Sequence, residues 1–399
     1  MEDFPVSKRI LRAILPAFLL AVSVGQIYAF TNYSSEIADY IGRSQKEVQF
    51  AFSLGIFFLG MGAAFFGKIV ERNIRLSTII GTALFLGGLL LTGFGIRAKS
   101  LALIYLGYGF LLGTGTGIIY ISPVKTMMMW FPKHKAIAAA LPIISFGLGS
   151  TLSTALFQKF SQFGIVKTFL CFAIAYAIPM VPSCFLLKKP FLDTPKTVAD
   201  GGQVFTYGNL FKDTFFIQSW LFMFLNISAG LSLIPLAKQM MGSPDVNYSA
   251  KLIAVIVALS GLMNGGGRFA FALWSDHLKR RINILLLILS ISVVATACSY
   301  WPLLIGFTLL VINACYGAGF SVIPAILAEH YGMGDISKIH GAVLSAWGFA
   351  GLVGNQANIL VSDKLGLGFL GVITMLVIVY AVNLGNAFLM RRRQTQNAA

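Results

Sequence analysis

Acidic residues are scarce in this chain, with 14 aspartates and glutamates among 399 residues against 30 lysines and arginines. None falls deep inside an apolar run. Glu36, Asp39, Glu47, Asp245 and Asp363 lie in or beside segments read as external loops. Glu71, Asp193, Asp200, Asp213, Asp276, Glu329 and Asp335 lie at the opposite ends of the apolar runs. A carrier of organic cations needs a buried carboxylate, so that substrate class is disfavoured, as is proton symport through an aspartate or glutamate. Cysteine is sparse as well. Cys171, Cys184, Cys298 and Cys315 sit in or at the ends of apolar runs without metal-ligand spacing, and they read as small buried hydrophobes. Neither a metal nor a cofactor nor a disulfide framework is expected. No catalytic nucleophile, metal cluster or carboxylate pair marks a membrane enzyme. The longest polar break, Lys188 to Lys212, leaves no room for the soluble domain that a membrane sensor usually adds.

What the chain has instead is apolar length. It is 57% hydrophobic and 11% charged, where soluble domains average roughly 25% charged. Forty-one glycines and thirty-four phenylalanines suit helices packed in lipid, where small residues let backbones approach. Twelve spans can be drawn, at roughly 10–32, 46–70, 76–97, 101–130, 134–159, 166–187, 213–240, 250–275, 282–300, 302–330, 338–361 and 366–390. The first is too long for a signal peptide and lacks a small-residue cleavage site, so it is expected to stay as a helix. The expected fold is an all-α polytopic membrane protein with 12 transmembrane helices. The proline, glycines and charges of 188–212 mark a cytoplasmic linker between six-helix bundles at 1–187 and 213–399.

A formal charge of +16 invites a nucleic-acid reading. The basic residues fall in short loops, however, so the excess is a topology signal, and the expected partner is the bilayer. With the amino terminus inside, nineteen lysines and arginines lie in cytoplasmic segments and eight in external ones, which places both termini in the cytoplasm. Three basic residues remain in or near the membrane: Lys125, Lys238 and Arg268.

Arg268 lies in the run Ala250 to Arg281, eight residues before Asp276 and about 12 Å up a helix from the polar end. A guanidinium hardly ever deprotonates. In mid-membrane it costs roughly 2.5–3.5 kcal/mol or more and is tolerated mainly beside a cavity or partner. It reads as an anion site on a solute pathway, or else as a structural arginine bonded to helix carbonyls or snorkelling to the surface.

The halves repeat. Gly67 to Arg75, with Glu71, Arg72 and Arg75, follows the second span, and Ala272 to Arg281, with Asp276 and Arg280, follows the eighth at an offset of 205. Gly113, Gly115 and Gly117 in the fourth span match Gly317 and Gly319 in the tenth. Duplication of this kind gives two pseudo-symmetric bundles and is how many secondary transporters are built.

At these residues the sequence resembles the major facilitator superfamily. Within it the nearest likeness is to the oxalate/formate antiporter family, related to monocarboxylate transporters. Three passages carry it: Gly25-Gln-Ile-Tyr28-Ala-Phe30; GTGTGIIY leading to Trp130-Phe131-Pro132 and Ser145-Phe-Gly147-Leu-Gly149-Ser150; and Asn264-Gly-Gly-Gly-Arg268 leading to Ser275-Asp276. The resemblance implies the superfamily fold and a cavity lined by spans one, four, seven and ten, with five, eight and eleven contributing. It also implies a cytoplasmic latch in which Glu71 and Asp276 pair with arginines such as Arg72, Arg75 and Arg280 across the halves. Three positions depart from the pattern. Glu71 stands where the family usually has aspartate. Trp347 falls where oxalate exchangers carry a second buried lysine, which argues for a monoanion. Asn264 replaces the aspartate that animal-type monocarboxylate transporters place one turn before the arginine, and it lies at i−4 on the face of Arg268.

The candidate substrate-binding residues are therefore Arg268, Tyr28, Trp347, Asn264, Lys125, Tyr120, Gln26, Asn313, Tyr316 and Lys238. Lys125 is either a second cation in the inner vestibule or an interfacial lysine, and Lys238 either draws anions from outside or is interfacial. Aromatic residues in membrane helices serve packing as often as ligands. His330 and His340, near inner helix ends, are either solvated loop histidines or a proton relay titrating near neutrality, and the solvated reading is preferred. The GxGxG run lies inside a span with no strand before it, so it serves helix packing rather than phosphate. The expected protein is a monomeric transporter of the bacterial inner membrane moving a small monocarboxylate of the formate, pyruvate or lactate type. Alternating access by exchange or uniport is expected. The alternatives are an oxalate-type dicarboxylate exchanger using Lys125, and a non-transporting sensor.

Overall fold

The computed structural model describes residues 5–190 and 206–396. Asp193, Lys196 and Asp200 of the expected linker lie outside the described residues. Every regular element among those described is helical. Eleven helices are long and apolar enough to cross a membrane: α1 (Val6–Asn32), α2 (Gln45–Arg72), α3 (Ile74–Arg97), α4 (Leu101–Trp130), α5 (Lys135–Phe163), α6 (Ile165–Leu186), α7 (Thr214–Met241), α8 (Ala250–His277), α10 (Pro302–Tyr331), α11 (Ile336–Lys364) and α12 (Gly368–Arg393). The shorter apolar α9 (Asn283–Cys298) stands where the ninth span was expected. Large apolar side chains on the outer faces, among them Phe65, Ile178 and Leu262, are more than two-thirds exposed, as lipid-facing residues are.

The chain forms two compact units. One takes the chain up to Leu210 together with Leu327–Gly348; the other takes Phe211–Ile326 and the chain from Phe349 on. The last turn of α10 and the first half of α11 thus belong with the first unit, a partition that hydropathy does not mark.

In the first unit, polar residues at the surface set the helix starts. Ser44 and Glu47 form a capping box at α2, and Asn73 accepts from Leu76 N–H at 3.0 Å to open α3. Glycines then bring the helices together. Gly113 and Gly117, one turn apart on α4, lie against the backbone of α2 at Gly55 and Leu59, while Gly115 on the other flank lies against α3 at Gly81 and Phe85. A side chain at any of the three would meet backbone, so the alternating glycines let α4 pack closely on both neighbours. Gly25 makes a similar approach to α5, against the Phe146 carbonyl and Gly149. From that contact to Asn32, α1 narrows to a 3-10 helix of eight residues. Such runs rarely exceed three or four residues, and mid-helix they mark hinges or strain.

In the second unit, Asp213 caps α7 by accepting from Phe215 and Phe216 N–H, at 2.7 and 3.1 Å, and Ser249 caps α8. Helix α8 is the reverse of a soluble amphipathic helix. Leu262, Phe269 and Trp274 are exposed, whereas Ser260, Gly267, Arg268, Ala272 and Ser275 form the buried stripe. The spacing of that stripe keeps it on one helix face.

Candidate functional site

Arg268 sits on this inward stripe and is 4% exposed. It does not face lipid. Its Nε donates to Asn264 Oδ1 at 3.0 Å, one turn earlier, and its guanidinium lies over the Phe320 ring of α10 at 5.4 Å. The crossing of α8 and α10 is close because Gly267 abuts Ala314 and Gly317 abuts the Asn264 carbonyl. A Cβ at Gly317 would also come within 3.1 Å of Arg268 Cγ, so glycine there makes room for the arginine stem. Tyr316, on the adjoining part of α10, is buried within reach of the Arg268 charge and packs edge-on to Phe320 at 5.3 Å. Asn313 is buried one turn before Gly317 and donates to the Leu309 carbonyl of its own helix at 2.9 Å. Lys238 is exposed in the last turn of α7. Of the residues singled out in this half, the structure brings Arg268, Asn264 and Tyr316 together and leaves Lys238 at the surface. A charged hydrogen bond contributes roughly 1.5–3 kcal/mol and a desolvated cation–π contact up to about 2. Those contributions are comparable to the insertion cost of the arginine and orient its planar head.

The first unit gathers the aromatic candidates. Trp347 on α11 lies 5.5 Å from Tyr120 on α4 and 6.3 Å from Tyr28 on the 3-10 stretch of α1, centroid to centroid. Phe146 of α5 fills the centre, 5.2 Å from Tyr28, 5.4 Å from Tyr120 and 5.9 Å from Trp347. Most of these pairs meet edge to face, the arrangement ring quadrupoles favour. Trp347 and Tyr120 are buried and Tyr28 is half-buried. Gln26 points elsewhere. It is fully buried, donates to the Tyr33 hydroxyl, and lies with Ile27 against the Tyr108 hydroxyl, which sits 2.9 Å from the Ile27 carbonyl. In this structure Gln26 ties α1 to its neighbours.

At the C-terminal end of α2, Glu71 forms an ion pair with Lys125 of α4, both side chains nearly buried. The other Glu71 oxygen accepts from the backbone N–H of Ser337 in the first turn of α11. An anion at a helix N-terminus meets unsatisfied N–H groups and the positive end of the dipole. Lys189, just past α6, donates to the Glu71 carbonyl at 2.8 Å, and burial pushes its ammonium below the usual lysine range. The partners of Glu71 are therefore a lysine and a helix start, where the resemblance pointed to arginines. Arg72 and Arg75 are exposed, Arg75 lying 4.7 Å over the Phe185 ring. In the second unit Asp276 pairs with Arg281, and Arg280 is exposed.

Sequence reasoning missed two residues here and misread a third as solvated. Phe146 and Phe320 carried no signal separating them from the other phenylalanines. His340 lies on α11 one turn past Ser337, 2% exposed, its ring 6.3 Å from that of Tyr120; its nearness to a helix end disguised its burial. Among the described residues no group of three or more His, Cys, Asp and Glu could hold a metal ion.

Comparison with known proteins adds the family. Residues 14–355 match the model of the Major Facilitator Superfamily. The chain is 24% identical over 356 residues to the uncharacterized MFS-type transporter YhjX of Escherichia coli K12, covering 85% of each chain. It is 22% identical over 363 residues to the oxalate:formate antiporter of Oxalobacter formigenes, covering 88% of this chain and 85% of that one. Among solved structures, an outward-facing bacterial homologue of the iron transporter ferroportin superposes with a TM-score of 0.73 at 14% identity, over 95% of this chain and 98% of the other. The E. coli fucose:proton symporter FucP gives 0.68 at 16% identity, over 95% and 99%. These likenesses are of fold.

Proposed function

The chain belongs to the Major Facilitator Superfamily, and from that premise we propose that this multi-pass membrane transporter moves a small monocarboxylate by alternating access, through exchange or uniport. The observation that carries the reading is Arg268: a permanent cation buried on the inward stripe of α8, oriented by Asn264 and backed by Phe320. Small-ligand sites combine an apolar lining with a few placed polar groups. Tyr316 beside the arginine, and Tyr28, Tyr120 and Trp347 in the first unit, are the proposed aromatic walls, and the oxalate:formate antiporter similarity supports a carboxylate as cargo. The Glu71–Lys125–Ser337 contact is the proposed cytoplasmic latch, with Asp276 as its counterpart in the second half. The two bundles divide at the 188–212 linker, and the protein is placed as a monomer in the bacterial inner membrane with both termini in the cytoplasm. The basic-residue count supports that orientation.

A second reading, oxalate-type exchange, draws on the same relative. It needs a second cation, and Lys125 is already matched by Glu71. The test is reconstitution in liposomes preloaded with formate, followed by entry of labelled formate at equal pH. Wild type should show counterflow. Arg268→Gln should reduce it about 100-fold or more, as loss of a buried charge partner worth 3–5 kcal/mol does, while eluting as a folded monomer. A variant that exchanges normally sinks the site.

A further inference from the structure

The glycines that α10 shares with α4 are put to a different use. In the first half Gly113, Gly115 and Gly117 each meet neighbouring backbone first. In the second, a Cβ at Gly319 would meet side chains alone: Asn226 Nδ2 of α7 at 2.7 Å, then Asn226 Cγ and the Phe222 ring at 3.6 Å. Gly317, on the other flank, clears the Asn264 carbonyl and the Arg268 stem of α8. Glycine at 319 therefore makes room for an amide, as glycine at 317 makes room for the arginine. Residues two apart on a helix point about 200° apart, and Tyr316 and Phe320 project into the sector between these two flanks. One face of α10 thus carries two rings, with Asn226 on one side and Asn264 and Arg268 on the other. The contacts agree: Tyr316 lies against Gly230, one turn beyond Asn226 on α7, and Phe320 lies under the Arg268 guanidinium. All of these residues belong to the second unit.

Asn226 is 1% exposed, and neither Nδ2 nor Oδ1 has a hydrogen-bond partner among the described residues. Other buried amides of this unit are in use. Asn358 donates to the Ser232 carbonyl at 2.6 Å, Asn383 to the Phe222 carbonyl at 3.1 Å and Asn386 to the Gln218 carbonyl at 2.9 Å, tying α11 and α12 to α7. Asn226 ties nothing. A buried amide with both ends unpaired is destabilising, and such an exception needs an explanation. Helix packing does not supply one, since an apolar side chain of similar size would fill the space without the penalty. A ligand does. The two ends of the amide, one donor and one acceptor, suit a neutral oxygen: a hydroxyl accepts from Nδ2 and donates to Oδ1, and a keto oxygen accepts from Nδ2.

We infer that Asn226 is a specificity-determining residue that reads an oxygen on the second carbon of a monocarboxylate whose carboxylate meets Arg268. The carrier then selects 2-hydroxy and 2-oxo acids over unsubstituted acids of the same size. This rests on the transport reading and narrows its cargo. Lactate and propionate share a carbon chain and a charge and differ at that one position. The lactate hydroxyl satisfies the amide, whereas the propionate methylene displaces water from it and offers no hydrogen bond in return. Formate ends at its carboxylate and leaves the amide to water, so it incurs no such loss.

The experiment measures how far lactate and propionate raise the thermal unfolding midpoint of the purified full-length protein in detergent at neutral pH, where both acids are ionised. Wild type should reach a given shift at a lactate concentration about tenfold or more below that of propionate. In Asn226→Leu, which removes both polar ends, the two acids should become equivalent. Gly319→Ala puts a methyl where the amide tip lies and should narrow the ratio as well; it decides the matter where Asn226→Leu does not elute as a folded monomer. Wild type that shifts equally with both acids, or with neither, overturns the inference. Formate counterflow by that protein then leaves the transport reading standing, and its absence takes both down. A lactate preference that survives in either variant means the oxygen is read elsewhere and overturns the inference too. A folded Asn226→Leu that responds to neither acid makes Asn226 necessary for any carboxylate, which likewise overturns its role in selection.

Discussion

Arg268 and Asn264 form a unit whose chemistry can be varied one atom at a time. With Oδ1 of Asn264 at 3.0 Å from Nε, the amide fixes the guanidinium plane without neutralising it. Replacing that amide with a carboxylate changes little in shape and everything in charge. Asn264→Asp should pair the arginine internally, lower the local charge by one unit, and weaken formate binding tenfold or more, roughly 1.4 kcal/mol. Asn264→Ala removes only the orienting hydrogen bond, worth roughly 0.5–1.5 kcal/mol, and should cost less. Equilibrium binding of labelled formate to the purified variants checks both, and equal losses would remove the electrostatic argument. This pair was legible in the sequence because a spacing of four on a helix fixes a shared face. His340 was not: its distance along the chain from a helix end says nothing about how deeply neighbouring helices cover that end. Phe146 and Phe320 were hidden for a related reason, since only tertiary crossing selects one phenylalanine among thirty-four.

Among the elements, α2, α4 and α11 meet at one buried ion pair, and that junction holds the start of α11. The sequence placed Glu71 and Lys125 in different roles, one in a latch and one in a vestibule, because the 53 intervening residues conceal that α2 and α4 lie side by side. The glycines of α4 did reveal tight packing. They could not reveal that alternate glycines serve opposite flanks, which is what brings α4 against α2 and Lys125 within reach of Glu71. Breaking a buried pair leaves an uncompensated charge and costs roughly 3–5 kcal/mol, whereas replacing both partners with neutral groups is often tolerated. Glu71→Gln and Lys125→Met should each lower the thermal unfolding midpoint in detergent. The double variant should be more stable than either single one. Additive losses would show that the two side chains do not depend on each other. The 3-10 stretch of α1 is the element least visible beforehand, since it follows the contact of Gly25 with the α5 backbone and carries no residue pattern of its own.

For the whole molecule, the proposed cargo follows from how few basic side chains lie buried along the membrane spans. Thirty basic residues give a charge of +16, yet nearly all lie at helix ends, where they set orientation. Of the three in or near the membrane, Lys238 is exposed, Lys125 pairs with Glu71, and the buried Arg268 is the cation proposed to meet substrate. Two unit charges 4 Å apart attract by about 4 kcal/mol at an effective dielectric of 20. A monoanion can recover its desolvation cost from one such contact. A dianion brings a second charge that must also leave water, and Trp347, where the family resemblance points to a second cation in oxalate exchangers, is buried among aromatic rings. Formate, pyruvate and lactate should therefore compete in the counterflow assay at similar concentrations, while oxalate should be at least about 100-fold weaker, a difference of roughly 2.7 kcal/mol. Oxalate competing on equal terms with formate would mean that the second carboxylate finds a cation after all. In that event Glu71→Gln, which releases Lys125, should strengthen oxalate further if Lys125 is that cation and leave it unchanged if it is not.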